Sequence, residues 1–162
     1  MTTHQSFQES ERPIENVYPL ASLAADHEHI AHLAEAFQAA LESGRDDTQD
    51  LVDELCRELE IHSTLEEEIL YPALARIPEL AILVDEAHAD HGRVREVIDE
   101  IRQMDPGDVQ IAGLVLQLAE DVEQHVSDEE NVLFPQLEQR MGEQLQELER
   151  RMEQLRRRLR QS

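Results

Sequence analysis

The chain has 162 residues, of which 40% are apolar and 3% aromatic, and its formal net charge is −23. This length favours one compact domain, and a composition rich in Ala and Leu but poor in Gly and Pro favours an all-helical fold. The negative charge argues against nucleic acid and anionic membranes as partners. The single cysteine, Cys56, excludes an internal disulfide and a cysteine-based zinc site.

The first 19 residues are polar, contain two prolines and show no hydrophobic periodicity, so we predict an extended N-terminal arm over residues 1–19. The arm has neither the apolar run nor the basic cluster of a signal peptide. No stretch of the sequence is apolar enough to span a membrane. The sequence therefore predicts a cytoplasmic protein.

Four long helices are predicted after the arm, over residues 20–43, 48–71, 78–105 and 108–135. The second helix is expected to continue to or beyond Pro72, and the fourth to end at the Phe134–Pro135 pair. Short loops between long helices favour antiparallel neighbours. We therefore predict an all-α protein in which residues 20–138 form an antiparallel up-down four-helix bundle.

The C-terminal segment, residues 139–162, differs from the rest because it carries seven Arg and four Glu. Its apolar residues recur at alternating steps of four and three, which is a short heptad seam. They are Met141, Leu145, Leu148, Met152, Leu155 and Leu159. The segment is predicted to be an amphipathic helix that forms a homodimer through residues 141–160 or docks onto the acidic bundle. A parallel dimer would bring arginines together, so antiparallel pairing or docking is preferred.

The sequence contains an internal repeat. Residues 62–72 read HSTLEEEILYP, and residues 125–135 read HVSDEENVLFP. Upstream, DHEHIAHL at residues 26–33 is similar to DHGRVREV at residues 90–97. The chain is therefore interpreted as two αα-hairpins, and each hairpin supplies two His and one Glu.

The apolar stripe of each predicted helix is interrupted near its middle by ionisable side chains. The interrupting residues, which we predict to be metal ligands, are His27, His62, Glu66, His91, His125 and Glu129. Any one of these histidines alone would more simply be an ordinary core histidine. Six ionisable groups at one depth, in duplicate, are better explained by a cation among them, because buried carboxylates cost several kcal/mol unless they are paired or coordinated.

Two equivalent three-ligand sets facing each other would hold two metal ions bridged by the two carboxylates. Nitrogen and oxygen ligands suit iron, manganese or zinc and disfavour copper(I). With about two His and shared Glu for each ion, coordination positions remain open for a small ligand.

Several neighbouring residues are candidates for a lesser role. His88 lies one turn before His91 and is a candidate fifth imidazole ligand, while Asp26 and Asp90 are candidate hydrogen-bond partners of ligand histidines. Cys56 is expected to be an inert core thiol. Residues expected on the solvated surface or in the ordinary core are His29, His32, Glu67, Glu68, Glu130, Tyr71 and Phe134.

At these motifs the sequence resembles the haemerythrin-like, HHE cation-binding family. The resemblance covers about residues 20–138 and implies a four-helix bundle with a non-haem di-iron centre, oxo- or hydroxo-bridged, with manganese or zinc as alternatives. It implies the same six ligands, with Glu66 and Glu129 as the bridges. Ala87 stands where oxygen-carrying haemerythrins have a further His, and Glu129 is a better candidate than the Asp they use one residue later. Both departures argue against plain reversible oxygen carriage.

Three functions follow as hypotheses. The first is a di-iron protein that binds dioxygen, peroxide or nitric oxide in sensing or scavenging. The second is an enzyme that decomposes peroxide or acts as an oxidase at the same centre. The third is iron buffering, which the acidic surface suggests.

Overall fold

The protein is described from a computed structural model, and the description concerns residues 20–162; the arm predicted for residues 1–19 lies outside the described residues. The helices in this range are α1 (Ala21–Glu42), α2 (Thr48–Leu65), α3 (Tyr71–Leu74), α4 (Ala81–Gln103), α5 (Val109–Asp128), α6 (Phe134–Met141) and α7 (Gln144–Arg160). A π-helical turn, Glu66–Leu70, joins α2 to α3, and a second, Glu129–Leu133, joins α5 to α6. A 3₁₀ turn, Pro78–Leu80, precedes α4. No strand occurs between residues 20 and 162.

Four helical rods form the body of the protein: α1, α2 with α3, α4, and α5 with α6. The first rod packs against the second and the fourth, and α4 packs against α5 and α2, so the rods close into a bundle. The predicted all-α bundle is confirmed. Within residues 20–162, no helix combines the length and hydropathy that crossing a bilayer requires.

The two π-helical turns begin at the Glu of each repeated phrase. A proline, Pro72 or Pro135, follows six residues after that Glu, inside the next α-helix. Proline cannot donate to an i−4 carbonyl and clashes with it, and the wider π turn relieves this conflict without ending the rod. The predicted end of the fourth helix at Pro135 is therefore wrong, because the chain remains helical to Met141.

The apolar core is divided into two clusters by the polar layer. One cluster, on one side of the polar layer, includes Leu23, Leu65 and Val84. The other cluster, on the opposite side, includes Ile30 and Leu59. Both clusters hold the rods at fixed spacing, so the ionisable groups between them are held by packed helix on either side.

The C-terminal helix α7 packs on the body of its own chain. After a turn at Gly142, where φ is +42°, Leu145, Leu148 and Met152 are buried in the same cluster as the apolar residues near the start of α1. The structure thus shows the docked alternative of the two predictions for this segment. A homodimer through residues 141–160 would have to use the same seam.

Candidate metal centre

The six predicted ligands converge in the polar layer, and each is buried. Their exposed fractions are 5% for His27, 4% for His62, 0% for Glu66, 2% for His91, 6% for His125 and 2% for Glu129. Their ligand atoms form two groups, and all atoms of a group lie within 4.8 Å of one another. One group contains His27 and His62, the other contains His91 and His125, and both contain Glu66 and Glu129.

The imidazoles approach each other through their Nε2 atoms. His27 Nε2 lies 3.1 Å from His62 Nε2, and His91 Nε2 lies 3.1 Å from His125 Nε2. Two neutral imidazoles that keep their protons on Nδ1 would face each other with two lone pairs. A cation next to both nitrogens would satisfy this arrangement.

Both central carboxylates reach across the two groups. Glu66 Oε1 lies 2.9 Å from His62 Nε2 and 3.3 Å from His91 Nε2. Glu129 Oε1 lies 2.5 Å from His125 Nε2, and its Oε2 lies 3.7 Å from His27 Nε2. Each Glu is four residues after a His on the same rod, so one helical turn brings Glu66 to His62 and Glu129 to His125. The contacts of Glu66 with His91 and of Glu129 with His27 cross between rods.

The outward-facing nitrogens of His62 and His125 are held by aspartates. His62 Nδ1 lies 3.0 Å from Asp26 Oδ2, and His125 Nδ1 lies 3.0 Å from Asp90 Oδ2. Each aspartate directly precedes a ligand His on the neighbouring helix of its hairpin. The predicted outer role of Asp26 and Asp90 therefore fits the geometry, across the helix pair rather than along one helix.

The other two imidazoles are met by the second Glu of each repeated phrase. Glu130 Oε1 lies 2.9 Å from His27 Nδ1, and Glu67 Oε1 lies 3.4 Å from His91 Nδ1. Glu130 is exposed, as expected, and Glu67 is partly buried. Both carboxylates nevertheless approach the cluster, which the expectation of a purely solvated face missed, because a regular α-helical spacing does not describe the π turns in which they lie. The Glu130 carboxylate assigns a proton to His27 Nδ1 and directs the Nε2 lone pair of His27 inward, whereas His91 Nδ1 has no hydrogen-bond partner of suitable geometry among the described residues.

Tyr71 and Phe134 occupy equivalent places in the two phrases but make different contacts. The Tyr71 hydroxyl donates to Glu129 Oε1 at 2.8 Å and lies 3.2 Å from His91 Nε2. Phe134 instead stacks on the His27 ring, with centroids 6.0 Å apart. Tyr71 was expected to be an ordinary core residue, and the contact of its hydroxyl with the cluster was missed. Its place next to the last residue of the repeated phrase, where the other copy has Phe134, gave no signal of that contact.

In the metal-free protein, the nearby carboxylates decide which imidazoles of the cluster carry a proton on both nitrogens. Burial disfavours the charged form of His62, but the charge of Glu66 and the hydrogen bond to Asp26 outweigh it and raise the pKa of His62 to about 10. In the same way, burial is outweighed at His125 by Glu129 and Glu66, which raise its pKa to about 11. Burial and the nearby charge of His62 lower the pKa of His27. The carboxylates thus keep His62 and His125 positively charged inside the cluster.

The two central carboxylates titrate in opposite directions. Burial opposes ionisation of Glu66, but the positive charge of His62 beside it lowers the pKa of Glu66 well below the usual range. Burial and the adjacent Glu66 charge raise the pKa of Glu129 to about 8. Like charges this close favour a single ionised carboxylate unless a cation compensates them.

The residues present fit a bound metal ion. Both oxygens of Glu66 and Oε2 of Glu129 are fully buried, and none has a hydrogen-bond donor of suitable geometry among the described residues. A buried carboxylate without donors is costly, and coordination of a cation removes that cost. The all-nitrogen-and-oxygen donor set with imidazoles suits iron.

Two clefts reach the cluster from different sides. A polar cleft of about 380 Å³ between α4 and α5 is lined by His125 and Glu129, together with Ala87 and several carboxylates. An apolar cleft of about 320 Å³ is lined by His27 and by aliphatic side chains of α1, α2 and α5, such as Ile30 and Val122. Each cleft thus brings a small ligand from solvent to a residue of one of the two ligand groups.

Other predicted candidates lie outside the cluster. His88 is half-exposed; it packs against the edge of Tyr71 and belongs to neither ligand group. His29 and His32 are exposed, as predicted. Cys56 is buried, and burial raises the pKa of its thiol to about 11, which fits an unreactive core residue.

A helical bundle whose core is interrupted by two imidazole pairs and two shared carboxylates defines a metal-binding class of protein. The family model described as "Hemerythrin HHE cation binding domain" matches residues 18–110 and 83–162. The chain belongs to this family. No significant match was found among curated proteins or among solved structures.

Proposed function

We propose that the protein is a non-haem di-iron protein that binds dioxygen, or a related small ligand such as peroxide or nitric oxide, and senses or scavenges it. In this proposal His27 and His62 hold one iron, His91 and His125 hold the other, and Glu66 and Glu129 bridge them. Bound iron would supply an open coordination position and a change of oxidation state.

The observation that carries the proposal is the sharing of two buried carboxylates by both imidazole pairs. A single cation would leave one imidazole pair without a partner. A purely hydrogen-bonded network would give donors to the Glu66 oxygens, and none of suitable geometry is found among residues 20–162. Two cations satisfy both pairs and both carboxylates together.

The protein's own residues support binding of a small uncharged ligand. Each pair supplies two imidazoles and shares two carboxylates, so a six-coordinate ion retains free positions. Ala87 lines the polar cleft, and its small side chain leaves room where an imidazole would otherwise stand. The apolar cleft beside His27 favours dissolved diatomic molecules over ions.

The test is metal content and optical response of the purified protein. We expect about two irons per chain after anaerobic loading, and charge-transfer bands that change on exposure to air, peroxide, nitric oxide or azide. Glu66→Ala should lose both irons, because Glu66 belongs to both groups. Glu68→Ala is the matched control, since Glu68 is in the same phrase but exposed. A wild-type protein that remains free of metal after iron supplementation would overturn the proposal, and uptake well above two irons would favour buffering.

A second candidate function is peroxide disproportionation to water and dioxygen. The Tyr71 hydroxyl, which donates to Glu129 Oε1 at 2.8 Å, favours it because it supplies a proton donor inside the cluster. Burial and the charges of Glu66 and Glu129 raise the pKa of Tyr71, so the hydroxyl keeps its proton. Steady-state oxygen release from peroxide, reduced in Tyr71→Phe while both irons are retained, would support an enzyme; bleaching without turnover would support sensing or scavenging.

A further inference from the structure

One arginine of the C-terminal helix is buried while its neighbours are exposed. Arg156 is 9% exposed, whereas Arg150, Arg151, Arg157 and Arg158 on the same helix face solvent. Arginine is rarely buried without a specific partner. The seam of α7 therefore carries one charged residue with a defined contact beneath it.

The partner of Arg156 is the aspartate that holds a predicted ligand. Arg156 Nη1 and Nη2 donate to Asp26 Oδ1 and Oδ2 at 2.5 and 2.9 Å, a bidentate pair. The same carboxylate lies 3.0 Å from His62 Nδ1. One carboxylate thus connects the C-terminal helix to an imidazole of the cluster.

The second half of the cluster has no such connection. Asp90 lies 3.0 Å from His125 Nδ1, as Asp26 does from His62, but its arginine partner is Arg93 on its own helix. The Arg93 side chain is 61% exposed, against 11% for Arg156. An exposed pair within one helix is screened by water and contributes little, whereas a buried bidentate pair between two elements fixes orientation.

The C-terminal helix is held to the body by contacts that can be lost as a unit. Apart from the apolar seam, Ser22 Oγ donates to Glu149 Oε2 at 2.6 Å and Arg160 Nη2 donates to Glu58 Oε2 at 3.2 Å. If α7 leaves its seat, Asp26 loses both guanidinium hydrogen bonds. A partly buried carboxylate without this partner would reorient toward water and release the His62 ring.

We propose that Arg156 is a positioning residue that acts through Asp26 on His62, so that docking of the C-terminal helix and metal binding by the His27–His62 group favour each other. This inference rests on the proposed metal site. Coupling of this kind is reciprocal: if the docked helix raises metal affinity, bound metal must stabilise the docked helix by the same factor. The His91–His125 group lies outside this coupling.

The first experiment is anaerobic iron(II) titration of the full chain against a competing chelator. In Arg156→Gln we expect one of the two equivalents to weaken ~10- to 100-fold, the range typical when an outer hydrogen-bond partner of a metal ligand is lost. Arg156→Lys keeps the positive charge but cannot donate the bidentate pair of hydrogen bonds, so its iron(II) affinity should lie between those of the wild type and Arg156→Gln. Arg157→Gln, an exposed neighbour whose guanidinium pairs with Glu153, is the matched control and should bind as the wild type does.

The second experiment measures protection of α7 from trypsin, first in the wild-type protein and then in two variants. Trypsin cleaves after arginine, and α7 is rich in exposed arginines. Iron(II) should slow tryptic removal of the C-terminal helix from the wild-type protein. The protection should disappear in Arg156→Gln, and it should persist in Asp90→Asn, whose altered contact belongs to the other imidazole pair.

The outcomes separate this inference from the proposed function. A wild-type protein that takes up no iron contradicts the metal site itself. A wild-type protein that binds two irons, with unchanged affinities in Arg156→Gln or with equal cleavage of α7 in the presence and absence of iron, overturns the coupling alone.

Discussion

The two hairpins share an inner geometry and differ in what surrounds it. Each hairpin places two Nε2 atoms 3.1 Å apart and holds one imidazole by an aspartate at 3.0 Å. The first hairpin's aspartate is clamped by a buried arginine from α7, and the second hairpin's aspartate is not. The Tyr71 hydroxyl contacts His91 of the second pair, while Phe134 stacks on His27 of the first.

The repeated phrase thus sets the positions of the ligand atoms, while unrepeated residues make the two metal positions unequal. Two metal ions in such a centre would have the same ligand types but different environments. The first position would be tied to α7 and bordered by apolar side chains, and the second would open onto the polar cleft. Unequal positions allow one ion to remain structural while the other accepts a ligand.

The largest effect is expected from removing one imidazole of each pair in turn. His62→Ala and His125→Ala should each lose about one of two irons, because each residue belongs to a single ligand group. Metal content after gel filtration measures this, with His32→Ala, an exposed position on α1, as the control. Loss of both irons in either variant would mean that the two positions form only as a unit, which would contradict two separately held metal positions.

The metal-free protein should lose stability as the pH rises from about 7 to 11. Because the pKa values of His62 and His125 are raised to about 10 and 11, their protons stabilise the folded state fully below the unfolded pKa near 6.5, and this contribution is lost as the pH passes through the folded values. Glu129, raised to about 8, acts in the same direction. The chain has no lysine to titrate in this window.

Urea unfolding at pH 7 and pH 10, with and without iron, tests this expectation. The metal-loaded protein should show a smaller loss, because metal in place of the imidazole protons removes the titration. His62→Gln and His125→Gln should each abolish part of the pH dependence, which tells whether the two hairpins contribute equally. A metal-free protein equally stable at both pH values would contradict the assigned protonation.

Met152→Ala should lower the free energy of unfolding by about 2–5 kcal/mol, as expected when a large side chain is deleted from a packed site. The loss should weaken the packing of α7 on the body of the protein. Met152 is 0% exposed in the seam between α7 and the body. Hydrogen exchange should report the loss in α7 first, and denaturant unfolding should report its size. Leu116→Ala on α5, where the side chain is 45% exposed, should change stability by no more than about 0.5 kcal/mol. Equal effects of both substitutions would show that α7 is not seated through this seam.

The smallest effect is expected from Tyr71→Phe, which makes the second hairpin's surroundings resemble the first. Removing the hydroxyl takes one donor from buried Glu129, a change worth about 1–3 kcal/mol in the metal-free protein. Thermal unfolding of Tyr71→Phe, Glu129→Gln and the double variant gives the coupling between the two residues. Additive effects would show that the hydroxyl does not act on Glu129.

Much of the site could be predicted from sequence because helical periodicity places residues three and four apart on one face. His27, His62, His91 and His125 each interrupt an apolar stripe, and Glu66 and Glu129 follow a His by one turn. The contacts of Glu67 and Glu130 could not be predicted in this way, because each lies within a π turn that changes the rotational spacing.

The helices, the duplicated hairpins and the depth of the six ionisable groups could be read from the amino-acid sequence, because they depend on local spacing along each helix. The outer partner of each imidazole, the contact of the Tyr71 hydroxyl with Glu129 and the contact of Arg156 with Asp26 across 130 residues of chain are seen only in the folded protein. Such contacts depend on the rotation and seating of one helix against another. Packing of the whole core sets these, and a pattern along a single helix does not encode them.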